Sequence, residues 1–370
     1  MKILFITLPA PDHLTDQLYT GLHTVLGVHN VVDFPYKPAY HDPGSKVWFL
    51  PQVQAPHANL GEVLELLKKR EFDFVCFAAR QLGLDTLATL WRTGVPFPPL
   101  ILLDGEEDAK IRHEILSQYP ISLYFKRDYI WGSRNRALDF LHAAKSFRWD
   151  RRLFSRTHPL PLGVALATIP QFENKEKSID ISYTGRASHQ CRAKAIQLLK
   201  NAKRVKFDGG LYRGPGDKIY KLKDGWATRV KDKHFPHKAQ PPDCEVSKLQ
   251  PQTDSDGRNP YFDQIFRSKI ALSIRGGGLT QPIRYYEIVA CRTLLLSDIP
   301  SAIIPNNFVH KTQAVFYKRD FSDLIQLAEY YANHDAERQA IINAGYKHLL
   351  KYHTCERRAQ YVLDICQKTL

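Results

Sequence analysis

Cysteine is scarce and scattered in this chain. Cys76, Cys191, Cys244, Cys291, Cys355 and Cys366 form no C-x-x-C pair and no Cys/His group at zinc-ligand spacing. That argues against a disulfide framework or a structural zinc site and fits a reduced, cytoplasmic setting. Long hydrophobic runs are missing too: none approaches the roughly 18 residues of a membrane span. The run "ILFITLPA" at Ile3 to Ala10, with only Lys2 ahead of it, is short for a signal sequence and reads as a first strand. There is no Walker loop, no G-x-G-x-x-G fingerprint and no internal repeat.

Acidic residues are the other shortage. Against 52 Lys+Arg the chain has 38 Asp+Glu, a formal charge of +14. An excess of that sign favours anionic partners: phosphorylated small molecules, nucleic acid or an anionic membrane surface. Part of it is local, with 12 Lys+Arg against 6 Asp+Glu between Lys203 and Lys248. What is present otherwise is ordinary for a globular protein, 44% hydrophobic and 24% charged. A length of 370 residues predicts two domains, each with a sizeable core.

The first half alternates strand-like and helix-like segments. "KILFITLP" is a buried strand, Asp12 to Leu26 a helix, "NVVDF" a strand, and "LGEVLELLKKREF" a helix feeding "FDFVCFA". "PLILLDGEED" is an apolar run ending in acids, and "ISLYFKRDY" a further strand, whose charged and aromatic end "FKRDY" is expected at a solvated edge, with a place in a cleft as the other reading. Prolines recur and periodicity fades around residues 165–178, which predicts a domain crossing. The alternation then restarts with "SIDISYTG", a helix at His189 to Ala202, "RVKFDGG", "KIALSIRG", a helix at Pro282 to Cys291, "TLLLSD" and "QAVFY". Three helical segments close the chain. Such βα alternation implies mainly parallel sheets covered by helices on both faces. The polar stretch Gly209 to Asn259 is too long for an ordinary connection and reads as an insertion, either a solvated excursion or a lid.

One stretch carries chemistry. In "RSKIALSIRGGGLTQPIRYYEIVACRTLLLSDIP" (Arg267 to Pro300) three glycines lie between a strand and a helix. Glycine backbone at the carboxyl edge of a sheet lets an anionic group approach the main chain, with helix-end N–H groups near it. Arg275 and Arg284 flank the loop, and a diphosphate suits that arrangement. A plain direction-reversing turn is the other reading of the same residues.

This stretch, with the tail "DFSDLIQLAEYYANHDAERQAIINAGYKHLLKYHTCERRAQYVLD", resembles the C-terminal domain of CgeB-like and family-4-like glycosyltransferases of the GT-B fold. The likeness covers roughly residues 265–365. It implies an α/β protein with two Rossmann-like domains facing across a cleft. The first would span residues 1–168 and the second 178–350, with a basic insertion around 209–259 and a helix at 355–370 returning to the first domain.

The resemblance also implies roles. Glu287 matches the glutamate that accepts hydrogen bonds from the donor ribose, and Gly276, Gly277, Gly278 and Leu279 match the loop facing the donor diphosphate and sugar. Arg186 occupies the first strand-to-helix loop of the second domain, where such enzymes bring a basic residue to the diphosphate; Lys194 or Arg192 would be its partner. The chain departs from the pattern at Arg292, where many members carry glycine, and lacks the paired glutamate of the retaining motif. No cofactor is implied, only a nucleotide-sugar donor such as a UDP- or GDP-sugar. The resemblance implies work without a bound metal; "TDSDG" at Thr253 to Gly257 is a formal D-x-D, but it lies in the polar stretch with turn formers around it and reads as a turn.

A general base would come from the first domain: Asp12 or His13 after the first strand, or Asp104, Glu106 or Glu107 in "LLDGEED". Asp12 and Asp104 read equally as helix cap or loop acid. Lys218, Lys221 and Lys223 in the basic stretch are candidates for an anionic or glycan acceptor. Three functions remain open: sugar transfer to a glycan or glycoconjugate, sugar transfer to a hydroxylated DNA base, and a non-catalytic basic scaffold that binds nucleotide or nucleic acid. Peripheral contact with an anionic membrane is open as well.

Overall fold

A computed structural model describes residues 1–42, 51, 53, 57–131, 141, 143–171, 176–187, 189–212, 220–223, 226–229, 260–276 and 278–370. The first half is built from β1 (Ile3–Ile6), α1 (His13–Leu26), β2 (Val31–Phe34), α2 (Pro38–His41), α3 (Leu60–Lys68), β3 (Phe74–Ala78), α4 (Gln81–Trp91), β4 (Leu100–Asp104), α5 (His113–Gln118), β5 (Ile121–Lys126), α6 (Arg151–Ser155) and β6 (Thr157–Pro159). Its strands form one parallel sheet in the order β2-β1-β3-β4-β5-β6.

The second half contains β7 (Ile179–Arg186), α7 (Gln190–Asn201), β8 (Phe207–Tyr212), β9 (Tyr220–Lys223), β10 (Trp226–Arg229), α8 (Pro260–Phe266), β11 (Ser268–Ser273), α9 (Arg284–Ala290), β12 (Leu294–Asp298), β13 (Val315–Tyr317), α10 (Leu324–Asn333), α11 (Asp335–Tyr352) and α12 (Cys355–Thr369). A second parallel sheet runs β13-β12-β11-β7-β8, while β9 and β10 pair as a separate antiparallel ribbon.

The continuous apolar runs are explained by burial on both faces. Ile3, Phe5, Cys76, Ile101 and Leu103 point to one side of the first sheet, and Leu4, Ile6, Val75, Leu100 and Leu102 to the other. Local signals set the helix ends: the Asp12 carboxylate caps α1 by accepting from Thr15 N, and Gly27 closes it with φ 87°.

Helix α12 returns across the molecule and lies along α1. Gly21 is required there, because a Cβ would stand 2.1 Å from the Cys355 carbonyl oxygen. The crossing segment is held beside it: Val164 N donates to His353 O at 3.1 Å, Cys355 N to Val164 O at 3.0 Å, and the buried Arg358 to Leu162 O at 3.2 Å. As a result, Leu14, Leu18, Val362 and Leu363 share one apolar core with Tyr285, Tyr286 and Ile288 of the second half.

One sequence expectation changes. The polar stretch from Gly209 is not strand-free, since β8 runs to Tyr212 and the ribbon follows; the rest of it, with Lys218 and Thr253 to Gly257, lies outside the described residues. Arg292 has φ 51°, a left-handed backbone that favours glycine. Its guanidinium lies 4.2 Å from the centre of the Tyr346 ring, a contact that offsets the strain.

Candidate active site

In parallel sheets every strand delivers its carboxyl end to the same edge, and the loops there form the ligand crevice. From the second domain this edge carries Arg186 at the end of β7, Arg275, Gly276 and residues 278–280 after β11, Asp298 at the end of β12 and Arg319 after β13. Arg275 Nη1 and Arg319 Nη2 both donate to Ser301 Oγ, at 3.3 and 2.9 Å. Arg192, on the first turn of α7, braces three carbonyls of the edge: Arg186 O at 3.0 Å, Arg275 O at 3.3 Å and Ile274 O at 3.3 Å. Lys194 lies further out, donating to Asp320 O at 3.3 Å over the Phe321 ring.

Behind this edge two charged groups are committed inward. Arg284 is sandwiched between the rings of Tyr183 and Tyr261 and donates to Thr184 O and to the Tyr261 hydroxyl. Glu287 is 2% exposed and accepts from the Tyr261 hydroxyl at 2.6 Å. Burial raises its carboxyl to about 7, against the pull of the Tyr261 hydrogen bond and the Arg284 charge. Burial likewise raises the Asp298 carboxyl, whose Oδ1 accepts from Arg275 N at 3.2 Å.

The first domain sorts its candidate bases. Asp104 is completely buried; Oδ2 accepts from the Tyr124 hydroxyl at 2.5 Å and Lys126 Nζ at 2.8 Å and forms an ion pair with Arg112 at 3.2 Å, and Oδ1 accepts from Glu106 N at 3.1 Å. That carboxylate ties β4 to β5 and faces no cleft, contrary to a catalytic reading. Asp12 is taken up by capping, with Thr15 N and Oγ1 both at 2.9 Å, and by Arg80 at 3.3 Å. His13 is different: burial first, then the Arg127 charge, lower its imidazole to about 4, so it is neutral at pH 7 and able to take a proton.

The two edges meet through "FKRDY". Its expected place at a solvated strand edge is wrong, because Lys126 and Asp128 are fully buried and Arg127 is 9% exposed. Leu279 N donates to Asp128 Oδ2 at 2.7 Å, and Thr280 donates to Asp128 Oδ1 through its N–H at 3.0 Å and its hydroxyl at 2.6 Å. Arg127 reaches Thr280 Oγ1 at 3.2 Å and Glu107 at 3.2 Å. Gly278 permits this approach, since a Cβ would stand 3.1 Å from both Glu107 and Asp128. The described part of the glycine-rich loop therefore packs directly against Glu107, Arg127 and Asp128 of the first domain, and the Arg127 charge is felt by His13.

Residues 256–364 match the family model described as glycosyl transferase-like. The chain has a GT-B fold with a glycosyl transferase-like domain at residues 256–364. A glycosyltransferase from Rickettsia africae superimposes with a TM-score of 0.56 at 10% identity, over 100% of this chain and 98% of that one. HepE from Anabaena, solved in complex with UDP and glucose, gives 0.56 at 11% identity with complete coverage of both chains. Sucrose-phosphate synthase from Thermosynechococcus elongatus gives 0.53 at 11%, over 99% and 98%. No curated protein matches.

Within this GT-B protein the structure brings Arg186, Arg275, Gly276, Gly278 and Leu279 to one edge, and sets His13 at the start of α1, where it feels the charge of Arg127. It withdraws Asp12, Asp104 and Arg284 into internal networks. Gly277 and the side chains of Lys221 and Lys223 lie outside the described residues; the backbone of those two lysines is on β9, against α7. Among the described residues no group of His, Cys, Asp or Glu is placed to hold a metal, and no helix is long and apolar enough to cross a membrane. Sequence reasoning missed Asp128 as a site residue. Its position two residues past the end of β5, at the carboxyl edge of a parallel sheet, was the available signal.

Proposed function

We propose that this protein transfers a sugar from a nucleoside diphosphate donor to a hydroxyl of a glycan or glycoconjugate, in the cleft between its two sheets. The observation that carries the proposal is the cationic, glycine-bearing carboxyl edge of the second domain, with Arg186, Arg275 and Arg319. The bond between the sugar C1 and the diphosphate oxygen breaks, and a bond from C1 to the acceptor oxygen forms. Negative charge grows on the departing diphosphate, where Arg186 and Arg275 supply charge-assisted hydrogen bonds; each preorganised donor of this kind is worth about 3 kcal/mol in the barrier. His13 takes the proton that the acceptor hydroxyl loses. Glu287 serves the ribose once Tyr261 yields its hydrogen bond. Because cationic side chains meet the leaving-group charge, the reaction needs no bound metal.

The neighbour solved with UDP and glucose supports a uridine nucleotide as the first donor to try. The experiment is a panel of UDP- and GDP-sugars assayed for thermal stabilisation and slow donor hydrolysis. Arg186→Ala slows turnover of the stabilising donor, and the folded protein is retained. Full turnover by that variant, or no stabilisation by any nucleotide sugar, rejects the assignment.

A further inference from the structure

Asp128 does something for the donor loop that the sugar-transfer reading does not require. Its carboxylate is completely buried and accepts from two successive backbone N–H groups, Leu279 and Thr280, and from the Thr280 hydroxyl, at 2.7, 3.0 and 2.6 Å. Two adjacent amides converging on a pair of anionic oxygens offer the hydrogen-bond pattern by which backbone holds a phosphate. Here the anion is not a ligand. It is a side chain delivered by the opposite domain.

The residues around it act with it. Tyr129 O accepts from Ile303 N at 2.7 Å, Leu279 O accepts from Ser301 N and Ala302 N at 3.1 Å, and Arg127 Nε donates to Thr280 Oγ1 at 3.2 Å. Residues 127–129 thus form a strap bound to two loops of the second domain at once. The Cβ that Gly278 lacks would stand 3.1 Å from both Asp128 and Glu107, and Asp128 already takes both amides. An anion bound to the Leu279 and Thr280 amides and the Asp128 carboxylate exclude one another.

We propose that Asp128 is an intramolecular latch: it occupies the anion-accepting amides of the donor loop and holds the domains together until an anionic group of the incoming donor displaces it. This rests on the loop being the donor site. Ligand and latch are then negatively coupled, so removing the latch strengthens ligand binding by up to the reciprocal of the fraction of molecules it had left open. A residue that merely positioned the loop for the donor would show the opposite sign.

The test is Asp128→Asn in the full chain. An asparagine oxygen still accepts from one amide, but its NH2 group faces the other N–H. Hydrogen exchange without nucleotide should show the Leu279 and Thr280 amides exchanging roughly tenfold faster than in the parent. Calorimetry with inorganic pyrophosphate and with UDP-glucose should show binding roughly tenfold tighter in the variant. Unchanged exchange, or pyrophosphate binding that is equal, weaker or absent in the variant, overturns the latch. Tighter pyrophosphate binding without UDP-glucose binding keeps the latch and rejects the sugar-nucleotide reading. Equal UDP-glucose binding in both proteins rejects the latch and keeps that reading. If Asp128→Asn does not fold, Thr280→Ala, which removes the 2.6 Å hydroxyl donor, must move both measurements in the same direction by a smaller factor.

Discussion

Glu287 gives the most quantitative measurement. Glu287→Gln keeps the side-chain shape and leaves an oxygen to accept from the Tyr261 hydroxyl, but removes the charge. In the parent, burial raises the carboxyl from 4.5 to about 7. Between those values the folded protein holds a proton that the unfolded chain has released. Stability contributed by this group is therefore fully present below pH 4.5, declines as pH rises, and is level above pH 7. A shift of this size, at 1.36 kcal/mol per pKa unit, amounts to about 3 kcal/mol in all and about 2.5 kcal/mol between pH 5 and 8. Every other titrating group is common to parent and variant, so the difference between their pH profiles isolates Glu287. Denaturant unfolding of both proteins at pH 5 and pH 8 should show the variant gaining about 2.5 kcal/mol over the parent across that window. A gap that is the same at both pH values refutes the reasoning. Donor affinity of the parent should rise as pH passes 7, because the ionised carboxylate is the better acceptor for ribose hydroxyls.

Asp104→Ala should destabilise by about 3–5 kcal/mol, because it leaves the fully buried Lys126 with only the longer 3.7 Å ion pair to Asp108; a variant that melts like the parent yet has lost transfer would restore Asp104 as a catalytic group. His13→Gln should lower kcat by roughly 100- to 10,000-fold with little change in donor KM. In the parent, the rate should fall on the acid side only as pH drops toward 4, where His13 becomes protonated; an acid limb near 6.5 would point to another base. Transfer should persist in excess chelator, and complete loss that a divalent ion restores would reject metal-independent departure of the diphosphate.

The sheets were legible because burial on both faces leaves little room for polar residues within a strand. β1, β3 and β4 announce themselves for that reason, and Asp12 marks the start of α1 because capping is local. The glycine loop and Arg186 were legible through their place between strand and helix. What could not be read locally is partnership across long separations. Asp104 ends an apolar run in the manner of a catalytic acid, yet Tyr124 and Lys126 of the neighbouring strand consume it. "FKRDY" looks solvated because its charges meet Thr280 and Leu279, some 150 residues on, only after the domains dock. Tyr261 was hidden in the same way, since its bond to Glu287 depends on α8 packing over the second sheet.

The close approach of Gly21 to Cys355 has a consequence for biosynthesis. Helix α1 leaves the ribosome some 330 residues before α12 does. At about 5–20 residues per second the interval is roughly 20–60 s. Throughout it, the side of α1 that α12 will cover stays open, although the sheet beneath it can already form. The half of the molecule made first is thus among the last to be sealed, and during that interval the nascent chain presents Leu18 and Leu22 beside an unfilled groove that a chaperone can guard.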